Sequence, residues 1–271
     1  MSQAVSAGAA AARWARHWLA EARASALRLG SDSDPEALHD FRTSLRRLRV
    51  VLSAYRDFLG PAGARPLRSR LRKLSHATGP PRDAQVWTAW LQTHGAPCEI
   101  SRRLVVHLEA VAAHCRQEFL CQGLPEFEAA GRSLEGRLER LQPCPARFDE
   151  AARRAVRKAA KRLDRRLQPV RRGGTPAQMH VARIRAKRLR YLLEPFARAQ
   201  PRVRKMAGRL RVLQDLLGKL HDLHELSGCG VAPASEPARL EARRLERVLR
   251  RKWLEPGRDR RLVSSALRWS A

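Results

Sequence analysis

Aromatic residues make up only 5% of this 271-residue chain, and both tyrosines, Tyr55 and Tyr191, fall in stretches of helical period. Base-stacking platforms of the kind that grip single-stranded nucleic acid are therefore poorly supplied. Acidic residues are scarce as well: 26 Asp and Glu stand against 55 Lys and Arg, a formal charge of +29. A solitary globule gains nothing from such self-repulsion, so a polyanionic partner is expected, with phosphate rather than nucleobase as the recognised group. Long apolar runs are missing, and nothing approaches the roughly 18 uninterrupted apolar residues of a membrane span. The five cysteines, Cys98, Cys115, Cys121, Cys144 and Cys229, form an odd set with no CxxC and no regular spacing to histidine. That argues against a disulfide framework and against a closed zinc site, so no metal and no cofactor is expected. The stretch before Glu21 is rich in Ala and Arg, but its Ala run is too weak for a secretory apolar core and reads as a first helix. A cytoplasmic protein is the default expectation.

Alternating runs of β-branched residues are also absent, whereas helical period is present throughout and 44% hydrophobic content supports a core. The chain is expected to be all-α. The pattern predicts helices over about 4–29, 65–76, 83–94, 97–121 and 124–141, the last short and interrupted by glycine. A further one starts after SDSDP, where polar caps and Pro35 open it, and stops near Gly60 and Pro61. In the second half the expected helices are about 146–168, 175–199, 202–226 and 236–254, with RRGGTP and SGCGVAPASEP as loops and an unclassified basic tail after Pro256. Pro143 and Pro145 mark a joint between an N-terminal half, 1–142, and a C-terminal half, 143–271.

The most informative stretch is LHDFRTSLRRLR, Leu38 to Arg49, because its pattern returns as MHVARIRAKRLR, Met179 to Arg190. On a helix of about 100° per residue, His39, Arg42, Arg46 and Arg49 share an arc of roughly 80°, and Leu38, Phe41, Leu45, Leu48 and Leu52 fill the adjoining arc. His180, Arg183, Lys187 and Arg190 make the same front in the second copy, backed by Met179, Ala182, Ala186, Leu189 and Leu193. The copies lie 180 − 39 = 141 residues apart. The following segments correspond too, pairing Arg72 with Arg211, Leu74 with Leu213, Gly79 with Gly218 and Asp83 with Asp222. A cationic run on one helix usually marks a solvated face; its return at a fixed offset argues for a shared role. Two ordered matches make a duplicated helical unit, which packs most simply as two four-helix bundles about a pseudo-two-fold axis.

These segments resemble the CHAD domain, the conserved-histidine α-helical domain. LHDFRTSLRRLR and MHVARIRAKRLRYLLE are similar to that family's two histidine-bearing helices, and TGPPRDAQV and LQDLLGKLHD to the two Gly–Asp segments that follow them. The resemblance implies one CHAD domain over 1–271 made of two antiparallel four-helix bundles around a basic central pore that binds inorganic polyphosphate. It places His39, Arg42, Arg46, Arg49 and Arg72 at pore-lining positions, with His180, Arg183, Lys187, Arg190 and Arg211 as their mates. Two departures stand out. Pro80 and Pro81 after Gly79 leave the orientation of Arg82 open, and His221 occupies a place where a small polar residue is more usual. Neither the ExExK signature nor the strands of a CYTH-type triphosphatase are found, so a stand-alone copy is expected.

The residue types suit that chemistry. Arginine offers a fork for two phosphate oxygens, lysine a movable charge, and histidine a donor that strengthens on protonation. Nothing resembles a nucleophile–base pair, a Walker-type loop or a carboxylate cluster for Mg²⁺, so no enzyme is expected. Asp83 and Asp222, one per half after a helix break, read as caps or orienters of arginine. His17, His94, His107, His114 and His224 lack the duplication and read as structural. The expected function is non-catalytic polyphosphate binding, compatible with a role in organising polyphosphate granules. The rival is a basic helical protein that binds nucleic acid nonspecifically, with arginines over 153–172 and 239–261 as its surface. Oligomeric state is not legible in the sequence.

Overall fold

A computed structural model describes residues 5–31, 34, 36–63, 65–94, 98–228 and 232–271. Ala4, Asp32, Ser33, Pro35, Gly95, Pro97 and Cys229, on which some expected helix ends and one cysteine fell, lie outside the described residues. Those described are helical, without a strand among them beyond an isolated bridge between Ser6 and Arg147. The helices are α1 (Ala7–Arg28), α2 (Ala37–Ala54), α3 (Arg65–Ala77), α4 (Gly79–His94), α5 (Glu99–Glu118) and α6 (Leu124–Glu139), then α7 (Phe148–Arg171), α8 (Pro176–Ala197), α9 (Pro201–Ser227), α10 (Ala232–Leu249) and α11 (Arg258–Trp269). The chain forms two compact units, Met1–Thr88 with Val106–Ala151, and Ala89–Val105 with Ala152–Ala271.

In the first unit α1 packs along α2. Ala7, Ala11, Ala15, Leu19, Ala22 and Ala26 recur every three or four residues and are buried, a stripe small enough to admit the bulky back of α2. Phe41, Leu45, Leu48 and Leu52 on that back are wholly buried. Phe41 meets Phe127 of α6 edge-on at 5.1 Å between centroids and Phe119 at 5.3 Å. Arg23 of α1 donates to both oxygens of Glu135 and from Nε to Glu128 at 3.1 Å, tying α1 to α6. The start of α2 is capped by Asp34, whose Oδ1 accepts the amides of Glu36 and Ala37 at 3.1 Å.

In the second unit α8 begins with a capping box, Thr175 and Gln178 bonding each other's backbone, with Pro176 next to it. The short link after Ala197 returns the chain as α9, which packs along α8; α10 and α11 also pack on α9. Met179, Ala182, Ala186, Leu189 and Leu193 are buried, as are Leu210, Leu213, Leu217 and Leu220. Helical spacing therefore puts the backs of both motif helices in the cores of their units.

Several expected boundaries are corrected. α2 ends at Ala54, and 3₁₀ turns at Arg56–Phe58 and Gly60–Gly63 lead to α3. α4 starts at Gly79 instead of Asp83, because Pro80 and Pro81 fall in its first turn, where amide donors have no intrahelical partner to lose. The expected gap before α6 is a π turn, Phe119–Gly123. Its glycine is required: a Cβ on Gly123 would stand 2.3 Å from Phe119 Cδ2. α10 begins at Ala232 and carries Pro237 inside it, so the expected loop is shorter.

The basic tail is the helix α11, entered through a π turn at Arg250–Leu254 and Gly257, whose φ is +62°. Asp259 is fully buried and accepts from Arg171 Nε at 2.7 Å, while Arg171 Nη2 donates to Asp164 at 2.8 Å. At the far end Trp269 lies 5.1 Å from Phe196 and donates to Gln200 at 2.7 Å. Removing one partner of a buried ion pair strands the other, at about 3 kcal/mol. Asp259→Ala should therefore lower hydrogen-exchange protection across α11 by about that amount; unchanged protection would mean that the Arg171–Asp259 pair does not hold the helix.

Candidate functional site

The fronts of α2 and α8 carry the candidate residues. On α2, His39 is exposed, and Arg42, Arg46 and Arg49 are partly buried. Arg42 reaches α3 and its end, donating from Nη1 to Thr78 Oγ1 at 3.0 Å and more weakly to the Ser75 carbonyl at 3.5 Å. It lies over Gly79, where a Cβ would sit 3.9 Å from Nη1. The His39 imidazole is held below its usual pKa by desolvation first and by the Arg82 charge second, against Glu36 and Asp40. The Arg82 charge thus acts on the motif histidine, while its Nη1 donates to Gln85 Oε1 at 3.3 Å.

Arg49 is strongly perturbed. Desolvation, then the charges of Arg46 and Arg72, push its guanidinium down to about 10. Among the described residues no carboxylate pairs with Arg49. Exposed Arg72 donates from Nε to His76 at 3.4 Å, a contact that supplies no negative charge. Three arginines on two adjacent helices therefore form a donor-rich group with nothing to offset it, an arrangement that favours an incoming anion.

The second unit repeats the frame with other chemistry. Arg183 lies against Gly218, where a Cβ would meet its Nε at 3.4 Å, as Arg42 lies over Gly79. Its Nη1 is 3.8 Å from Asp222 Oδ1, an ion-pair contact. His180 and His221 bring their ring centroids to 4.1 Å. His221 is pushed down to about 4 by desolvation, His180, Arg183, Lys187 and His224 in that order. His180 is lowered by desolvation, then Arg183 and Lys187, in spite of Glu225 and Asp222. Its Nδ1 is buried and meets no hydrogen-bond partner among the described residues. Arg190 stands apart: it is 6% exposed, donates from Nη1 to Glu194 at 2.6 Å and from Nε to Gln214 at 2.9 Å, and covers the Tyr191 ring at 4.7 Å. Arg211 is exposed on α9.

The two units thus bring motif histidine, arginine and glycine into the same register. A family model for the CHAD domain matches residues 9–229. The chain belongs to the CHAD-domain family. Its fold is similar to the crystal structure of the CHAD domain from the plant Ricinus communis, at 21% identity and a TM-score of 0.71 over 97% of this chain and 93% of that one. No curated protein matches. The CHAD match contains all ten candidate residues, and α10 and α11 lie beyond it.

Sequence reasoning missed Thr78, Gln214 and Glu194, each of which binds a motif arginine. Glu194 had a signal, its place four residues after Arg190, the spacing of a helical ion pair. Thr78 and Gln214 had none, since their contacts cross between helices. His224, read as structural, bonds Glu246 of α10 at 3.0 Å.

An imidazole whose folded pKa lies below its unfolded value binds its proton more readily when the chain is unfolded. Its contribution to stability is complete above the unfolded value and is lost as pH falls toward the folded one. For His221 that window runs from about 6.5 to about 4. The melting temperature should fall across it, and His221→Gln should flatten the fall; a pH profile identical to wild type would show that His221 does not titrate on unfolding.

Proposed function

We propose that this CHAD domain binds inorganic polyphosphate without catalysing its turnover, using the cationic fronts of α2 and α8. The observation that carries the reading is the group of Arg46, Arg49 and Arg72, three cations with no carboxylate partner for the buried one. A phosphate would supply the missing charge, and arginine forks match its oxygens. The ligand chemistry fits a base-free polymer, because polyphosphate offers closely spaced charge and nothing to stack, while this chain has many cations and few aromatics. The fronts carry His, Arg and Lys, residue types that hold phosphate by charge and hydrogen bonding, and the reading is therefore one of binding without turnover. No described helix is long and apolar enough to cross a membrane. A protein of this kind could gather on polyphosphate granules and help organise them.

A second reading, a nonspecific nucleic-acid surface, draws on Arg185, which desolvation and the charges of Arg162 and Arg166 hold below its usual pKa. That group lies on α7 and on the side of α8 away from His180, and it carries no matched copy on α2. The duplicated fronts therefore favour polyphosphate.

If about eight cations engage the polymer, the log–log dependence of affinity on salt should have a slope on the order of −5. The double charge reversal Arg46→Glu, Lys187→Glu should weaken binding by about a hundredfold or more, at roughly 1.4 kcal/mol per tenfold step, with the helical circular dichroism intact. Affinity like that of the wild type in that variant would place the site elsewhere.

A further inference from the structure

The duplication makes the two fronts comparable step by step, and at two steps the second is the less cationic. Beside the motif histidine the first unit has Arg82, a permanent charge, whereas the second has His221 at the matching place. At the end of the ladder the charges acting on Arg49 are those of Arg46 and Arg72, and no carboxylate among the described residues pairs with it, whereas Arg190 is clamped by Glu194 and Gln214. The 141-residue offset pairs Glu194 with Ser53, so the first copy has no carboxylate at that position.

We propose that Glu194 is a built-in counter-ion that competes with phosphate for Arg190, so that Arg46, Arg49 and Arg72 form the primary phosphate-binding site of the chain and the α8 front a secondary one. The proposal rests on the polyphosphate reading and deepens it. A bidentate guanidinium can serve one oxyanion fully at a time, and the Arg190–Glu194 contact of 2.6 Å already uses one edge of the fork. Phosphate arriving at Arg190 has to displace a carboxylate that sits on the same helix and costs no translational entropy to hold. Phosphate arriving at Arg49 displaces nothing and relieves repulsion among three cations. Asp222 and Glu225 on α9 act on His180 as Glu36 and Asp40 act on His39, so the contrast between the fronts lies at Arg82 against His221 and at Arg49 against Arg190.

The test is calorimetric titration of the full chain with inorganic polyphosphate of defined length, at about pH 8, above the ordinary histidine range, and about 0.15 M salt. Arg49→Gln should weaken binding by about tenfold, and Arg190→Gln by distinctly less. Glu194→Gln should tighten it by about threefold, since the amide holds Arg190 less strongly than the carboxylate does. In an Arg190→Gln background, or in Arg190→Lys if the glutamine variant is unfolded, Glu194→Gln should give no gain. A gain that persists in that background would make Glu194 a general repulsive charge and overturn the counter-ion role. Absence of any gain, or equal losses for Arg49→Gln and Arg190→Gln, would overturn the inequality of the two fronts. Failure of the wild-type chain to bind polyphosphate at all would instead remove the reading on which the proposal stands.

Discussion

Arg49 is partly buried beside Arg46 and Arg72, with no carboxylate among the described residues to balance it, and the rest of its unit has to hold that repulsion in place. A guanidinium pushed down to about 10 costs on the order of 2 kcal/mol once solvent screening is discounted. The opposite side of the same helix supplies more than that. Phe41, Leu45, Leu48 and Leu52 are wholly buried, and each contributes about 2 kcal/mol relative to exposure. The apolar back therefore fixes the cationic front, and α2 can display charges that an isolated helix would disperse.

The same division of labour explains why the repeat is geometric as well as compositional. Arg42 lies over Gly79 and Arg183 against Gly218, each within van der Waals reach of the position a Cβ would take. Thr78 accepts a hydrogen bond from Arg42, and Asp222 faces Arg183 at 3.8 Å. The histidines at the heads of the ladders are held below their ordinary pKa first by desolvation and then by neighbouring cations. A phosphate bound there would offset those cations, so ligand and proton would favour one another.

Much of this was legible in the sequence. Helical period with an apolar back and a cationic front predicts both motif helices, and the fixed offset predicts that Arg42 and Arg183 play matching parts. The boundaries were harder. Pro80 and Pro81 read as an interruption, although a helix tolerates both in its first turn, and the tail after Pro256 read as unclassifiable although Asp259 and Trp269 anchor it to distant residues. The candidate site was legible as a set of positions and not as a set of partners. That Arg190 would be taken by Glu194 while Arg49 stayed unpaired depends on a difference between positions 194 and 53, which a search for similarity between the copies passes over.

The central claim is that these cationic fronts recognise a thin chain of phosphates and not nucleic acid in general. It is tested most directly by competition: the chain is loaded with labelled polyphosphate and titrated at about 0.15 M salt with duplex DNA and with single-stranded RNA matched in total charge. The account predicts that unlabelled polyphosphate displaces the label at far lower concentration than either nucleic acid. Displacement by DNA or RNA at equal or lower concentration would contradict it.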